Sequence, residues 1–210
     1  MKAIDGIIFD VDGTLWDSVS VCTKAWNRVV VEHSSYPPNV TDEKLRQLFG
    51  KPMDQIFDAI FPGMGDEEKK KLAGLCESYE NELLEKEPGI PYGDVTGTIK
   101  ELAKHVPLFI VSNCQKGYIE VCMKMLGLDP FIKDYICFGD RPVRKGENIR
   151  FLMEKNGLTS AVYVGDTQTD ADACKEAGIP MIYAAYGFGT VDNPYAVIRN
   201  FEELATFLLS

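Results

Sequence analysis

The hydrophobic pattern changes rhythm twice along the chain. Ile7-Ile8-Phe9 is a short, wholly apolar run, the signature of a strand buried in a parallel sheet. It stops abruptly in Asp10-Val11-Asp12-Gly13-Thr14-Leu15. From there to about residue 91 the spacing is helical. Asp17-Ser18 offers an N-cap, and Val21, Cys22, Ala25, Trp26, Val29 and Val30 recur on one face. The segment 34–39 breaks that helix, Thr41 caps a second that stops at Gly50, a third covers 53–61, and a fourth runs from Asp66 to about Lys86. Pro88-Gly89 and Pro91 mark a linker, so 16–91 reads as an all-helical block without a strand.

Beyond it strands and helices alternate. Helices are expected over 95–105, 118–126, 148–156, 171–177 and 201–209, and strands over 108–111, 135–138, 161–164 and 180–184. This alternation predicts an α/β fold, a doubly wound parallel sheet with helices on both faces and right-handed crossovers. The helical block is then an insertion after the first strand, at the carboxyl edge of the sheet, where ligands bind in such folds.

Composition narrows the class. The 210 residues suffice for one domain with an insertion or for two small ones, and 45% hydrophobic with 26% charged residues is ordinary for a globular protein. A formal net charge of −10 argues against a nucleic-acid partner, whose phosphates demand basic surface. The six cysteines (22, 76, 114, 122, 137 and 174) lack C-x-x-C spacing and fit reduced, mostly buried thiols of an intracellular protein. Asp10 cuts the first apolar run before it could serve as a signal peptide, and no stretch approaches membrane-spanning length. A cytoplasmic location without a membrane partner is the expectation.

The chemistry lies at the strand ends. Asp10 and Asp12 are two apart and project to the same side of an extended backbone, where their mutual repulsion favours a held proton or a bound cation. The strand ending at Val111 delivers Ser112-Asn113, suited to an oxyanion. The strand ending at Val164 delivers Gly165-Asp166-Thr167-Gln168-Thr169-Asp170, and Lys145, ahead of a helix, offers a mobile cation. Four carboxylates against one lysine make an over-negative site that wants a hard divalent ion; Mg²⁺ suits carboxylate, carbonyl and water ligands.

The set Asp10-x-Asp12-Gly-Thr-Leu, Ser112-Asn113, Lys145 and Gly165-Asp166-x-x-x-Asp170 resembles the four motifs of the haloacid dehalogenase superfamily. The block 16–91 resembles its helical cap, and the tail around Pro194, Ile198, Phe201, Glu202 and Leu204 is similar as well. The layout is closest to the phosphoglycolate phosphatase-like group. The resemblance implies a Rossmann-like core of residues 1–15 and 92–210, with strand order 5-4-1-2-3, and a cap of 16–91 hinged near 16 and near 91. It implies a Mg²⁺-dependent phosphatase acting on a small phosphorylated metabolite. Asp10 would be the nucleophile, and Asp12 the general acid and then base. Asp10, Asp12 (through its carbonyl) and Asp166 would hold the metal, with Asp170 acting through water or by orienting Lys145. Ser112, Asn113 and Lys145 would hold the phosphate, Thr14 would brace the nucleophile loop, and Lys51 is a candidate for substrate contact.

Two other readings stay open. A phosphomutase of the β-phosphoglucomutase type shares the Ala25-Trp26 pair, but this chain has Cys22 and Met53 where those enzymes place a histidine and an arginine. Gly146 also follows Lys145 where relatives often have proline. A receiver-like phospho-accepting switch shares the acids, hydroxyl and lysine, but is shorter and lacks the insertion. Substrate choice is expected in the cap, among Trp16, Cys22, Gly50, Lys51, Pro52 and Met53, although Trp16 and Trp26 read more readily as core aromatics and Lys51 as solvated. Cys114 is expected near the site; His33 and His105 read as structural or exposed.

Overall fold

The computed structural model describes residues 4–209. Along the chain, β1 (Gly6–Phe9) is followed by β2 (Trp16–Asp17), then α1 (Val19–His33), α2 (Asp42–Leu48), α3 (Met53–Ile60), α4 (Asp66–Leu84) and β3 (Ile90–Pro91). Helix and strand then alternate through α5 (Val95–Leu102), β4 (Leu108–Ser112), α6 (Tyr118–Leu126), β5 (Ile132–Cys137), α7 (Lys145–Asn156), β6 (Ala161–Gly165), α8 (Gln168–Ala177) and β7 (Met181–Ala184). β8 (Ala196–Ile198) and α9 (Glu203–Leu209) close the order.

The strands pair in parallel in the order β5-β4-β1-β6-β7-β8. The five expected strands stand in the expected order, and the sheet differs from it by β8, three residues added at the edge. β1 lies at the centre, and all four of its residues are buried. Its side chains alternate between faces. Ile7 and Phe9 pack with Ile99, Ile119 and Leu204 from α5, α6 and α9, whereas Ile8 packs with Ile149, Leu152 and Ala173 from α7 and α8. This is why the run carries no polar position.

Several boundaries move. β5 begins three residues before the expected strand, because Ile132-Lys133-Asp134 lies on the sheet's edge and keeps polar side chains. α5 ends at Leu102, short of His105. α7 begins at Lys145 and α8 at Gln168, each three residues early. The block 16–91 is not free of strand: β2 and β3 pair antiparallel, Trp16 with Pro91 and Asp17 with Ile90. Two-residue strands carry no periodicity, and Pro91 reads as a breaker although proline is tolerated at a sheet edge.

That two-stranded ribbon is the stem from which the four inserted helices rise. α1 buries Val19, Cys22, Ala25, Trp26, Val29 and Val30 along one stripe, against α4, and Trp26 stacks on Phe57 of α3 with ring centroids 4.7 Å apart. Both tryptophans are fully buried, while His33 and His105 are exposed. All six cysteines are free and buried. Among the described residues no helix is long and apolar enough to cross a membrane.

Candidate active site

β1 delivers Asp10 at the sheet's carboxyl edge, where the Asp10 N–H donates to the Val164 carbonyl of β6 at 2.9 Å. The neighbouring strand end carries Asp166, and the first turn of α8 carries Asp170. One carboxylate oxygen of each of these three buried acids lies within 4.8 Å of the other two. Lys145, buried at the start of α7, stands 2.9 Å from Asp10 Oδ1 and pairs also with Asp170 Oδ1. The expectation of a mobile lysine is therefore corrected: burial between two carboxylates fixes it. The Lys145–Asp10 contact is an ion pair without hydrogen-bond alignment, so Asp10 Oδ1 has no hydrogen-bond partner among the described residues.

Two glycines let the backbone close over Asp166. Gly13 adopts φ of 75°, and a Cβ there would stand 2.1 Å from Asp166 Oδ2. A Cβ on Gly187 would come 2.3 Å from Asp166 Cβ and 2.4 Å from the Gly13 carbonyl oxygen. The next residue, Phe188, donates its N–H to Asp166 Oδ2 at 2.7 Å, and the Thr14 hydroxyl donates to Asp166 Oδ1 at 3.3 Å. Thr14 is thus bonded to an acid of the cluster. Asp170 Oδ2 accepts from the N–H and hydroxyl of Thr167 (3.0 and 2.7 Å) in a capping box, while its Oδ1 meets Lys145.

Burial sets the electrostatics. It pushes Asp10 up to about 7; Lys145 opposes the rise and Asp170 adds to it. It pushes Asp166 well up, with Asp170 and Asp10 adding to the rise. Burial alone would pull Lys145 down, but the facing carboxylates of Asp10 and Asp170 hold it above the ordinary lysine value. Three buried acids with one lysine remain short of positive charge. The Asp10 carboxylate, met by Lys145 alone among the described side chains and grouped with a partnered but not saturated Asp166, fits an oxygen-binding divalent cation.

Asp12 stands outside this trio. Its Oδ1 accepts from the Tyr118 hydroxyl at 2.6 Å, the Ser18 hydroxyl at 2.7 Å and the Trp16 indole N–H at 3.1 Å. Burial pushes it up to about 6, against those three donors. Ser18 makes no side-chain cap to α1, because its hydroxyl is spent on Asp12; the Val19 N–H bonds to Asp17 instead, at 3.1 Å.

Asp10 and Asp12 share a cavity of about 30 Å³ with Ser112, Asn113 and Cys114 on the sheet side and Gly50, Lys51, Met53 and Glu80 on the insertion side. Lys51 lines it while remaining exposed. Asn113 Nδ2 donates to the Gly50 carbonyl at 2.8 Å, and Gln115 Nε2 donates to Glu80 Oε1 at 2.8 Å, so the insertion is hydrogen-bonded across the cavity. A cleft of about 560 Å³ shares Met53 and Gln115 with it and runs between α3, α4 and Phe138. Ser18, Glu80, Gln115, Tyr118 and the Gly187-Phe188 loop join the site without a motif in the sequence to mark them. Glu80 leaves no distinguishing trace in the sequence, where it reads as one more acid of a charged helix.

Comparisons with known proteins bear on the family and the fold. The family model described as "Haloacid dehalogenase-like hydrolase" matches residues 7–184. A phosphoglycolate phosphatase of Yersinia pestis is 25% identical over 217 residues, covering 97% of this chain and 92% of its own. Phosphoglycolate phosphatase 1 of Pseudomonas aeruginosa is 28% identical over 218 residues, covering 94% of this chain and 77% of its own. Among solved structures, a haloacid dehalogenase-like family hydrolase from Streptococcus pneumoniae superposes with a TM-score of 0.83 at 20% identity, over 99% of both chains.

Proposed function

The chain belongs to the haloacid dehalogenase-like hydrolase family, and from that premise we propose that it is a phosphatase that hydrolyses a small phosphate monoester through an aspartyl-phosphate on Asp10. The observation that carries this reading is the grouping of buried Asp10, Asp166 and Asp170 with Lys145 at one sheet edge. Relatives named for phosphoglycolate make 2-phosphoglycolate the first ester to assay.

In this reading a carboxylate oxygen of Asp10 bonds to phosphorus as the ester P–O bond breaks, and the leaving oxygen takes a proton from Asp12. Asp12, now a carboxylate, takes a proton from water; that water's oxygen bonds to phosphorus, and the Asp10 carboxylate is released with inorganic phosphate. Lys145, the Ser112 hydroxyl and the Asn113 N–H hold the equatorial oxygens, which carry charge in a loose transition state. Asp10, Asp166 and the Asp12 carbonyl would hold a Mg²⁺ ion, which when bound neutralises the acids so that an anionic ester can approach. Asp170, whose oxygens are committed to Thr167 and Lys145, serves by orienting that lysine. Thr14 braces Asp166, and Lys51 meets the leaving group at the cavity's exposed side.

Residues 1–15 and 92–210 act as the core and 16–91 as a cap on the β2–β3 stem. A cavity of about 30 Å³ holds little more than one water, so substrate entry requires the cap to lift. Cys22 is buried against Ser18, with its Sγ 3.6 Å from the Ser18 hydroxyl, and Met53 lines the cavity. Neither offers the acid–base or cationic group a mutase places there, which favours hydrolysis over return of the phosphoryl group.

The test is phosphate release from p-nitrophenyl phosphate and a panel of phosphorylated metabolites, with and without Mg²⁺. Turnover is expected to need Mg²⁺ and to vanish in Asp10→Asn. Full activity of Asp10→Asn on any ester sinks the assignment.

A further inference from the structure

The hydrogen bonds on Asp12 are one-sided. Tyr118, Ser18 and Trp16 all reach Oδ1, and no hydrogen bond among the described residues reaches Oδ2. The three donors come from separate places: Trp16 from the stem, Ser18 from the turn into the insertion, and Tyr118 from the first residue of α6. All three are buried. The Tyr118 hydroxyl also lies 2.7 Å from Ser18 Oγ, and its ring meets Trp16 edge to face with centroids 5.8 Å apart, so the cluster braces itself. An indole N–H can only donate; the Tyr118 and Ser18 hydroxyls carry one hydrogen each and also meet one another, so one bonds the other while the second joins the indole on Oδ1 and fills its two lone pairs.

We infer that Tyr118, with Ser18 and Trp16, aims Asp12: by filling Oδ1 with donors, these positioning residues confine the transferable proton to Oδ2, the oxygen left without a donor. The inference rests on the reading of Asp12 as general acid and adds what orients it. In the first step the Oδ2–H bond breaks and a new O–H bond forms on the leaving oxygen, which also takes the electron pair of the broken P–O bond. The charge left on Asp12 is then held by the indole and the hydroxyl pair. In the second step Oδ2 takes the proton back from water as the water oxygen bonds to phosphorus. The donors touch neither substrate nor phosphorus.

A proton supplied at the leaving oxygen matters most when that oxygen leaves poorly. The test is therefore kcat/KM with Mg²⁺ on a series of substituted phenyl phosphates from 4-nitrophenyl to phenyl, for the parent, Tyr118→Phe, Ser18→Ala and Asp12→Ala. kcat/KM reads only the steps through formation of the aspartyl-phosphate. Tyr118→Phe keeps the ring against Trp16 and removes one donor. It is expected to lose about tenfold or more on phenyl phosphate, part of the 10²–10⁴-fold a general acid supplies, and much less on 4-nitrophenyl phosphate. Ser18→Ala is expected to steepen the dependence on leaving-group basicity in the same way, and stands in should Tyr118→Phe fold poorly. Asp12→Ala is expected to be steepest. If Asp12→Ala is steep but Tyr118→Phe and Ser18→Ala run parallel to the parent, the aiming role is overturned while the general acid stands. If Asp12→Ala is itself parallel, both fall.

Discussion

Glu80 is a buried acid with no cationic partner among the described residues, at 2% exposure, on the helix that faces the cavity. The Trp26 indole N–H donates to one of its oxygens and Gln115 to the other, and burial still pushes it up to about 7 from an ordinary 4.5. A carboxyl raised in the folded state costs nothing while both states are protonated, below about pH 4.5. As the pH rises to about 7 the unfolded chain ionises first, and stability is lost. Glu80→Gln keeps the shape, and Gln115 can turn its amide to match. The variant should therefore gain on the parent between about pH 4.5 and 7, by on the order of 2–3 kcal/mol, and hold that lead above. Denaturant midpoints of both proteins at a series of pH values check this; parallel curves contradict it. At this scale the sequence spoke unevenly. Asp10, Asp12, Asp166 and Asp170 were legible because they stand at or just beyond the ends of apolar strands, where the fold gathers them at one edge. Tyr118 and Ser18 were not, because their partner Asp12 is reached only after the chain folds, 106 positions away in the case of Tyr118.

Elements were legible where one physical cause ruled a whole stretch. β1, β4, β6 and β7 read as strands because burial on both faces leaves uninterrupted apolar runs. β2, β3 and β8 are two or three residues long and show no period at all. The segment after β7 was the largest omission. It looks like a loop, yet Gly187 and Phe188 seat Asp166, and the Phe188 ring lies edge-on to Phe49 at 5.9 Å and beneath the Arg46 guanidinium at 4.8 Å. One short loop thus touches the acid cluster with its backbone and the inserted helices with its side chain. Gly187→Ala drives a Cβ into Asp166 and the Gly13 carbonyl. It is expected to cut kcat/KM by about a hundredfold or more, as a misplacement of the order of 1 Å does, while circular dichroism keeps the helix content of the parent. Unchanged kcat/KM contradicts a role for the loop.

For the whole molecule, a sheet edge crowded with acids has a thermodynamic consequence. Three buried carboxylates with one lysine destabilise the folded chain, and on the proposed reading Mg²⁺ joins them and so binds the native state preferentially. At a hundredfold excess over Kd this stabilises by about 2.7 kcal/mol, a Tm rise of roughly 5–10 °C for a chain of this size. Asp166→Asn should abolish the rise, and a thermal melt with Mg²⁺ or chelator decides it without any substrate. The net charge of −10 leaves such local cations, not the overall field, to admit a phosphate ester. Entry also requires the insertion to part from the sheet across the Asn113–Gly50 and Gln115–Glu80 hydrogen bonds. The proposed chemistry forms a covalent bond to one side chain. Mass spectrometry of protein acid-quenched during turnover of p-nitrophenyl phosphate with Mg²⁺ tests it most directly. A phosphoryl group on the peptide that carries Asp10, and absent from Asp10→Asn, is the result expected. Continued turnover with no phosphorylated peptide, or with the group on another residue, contradicts it.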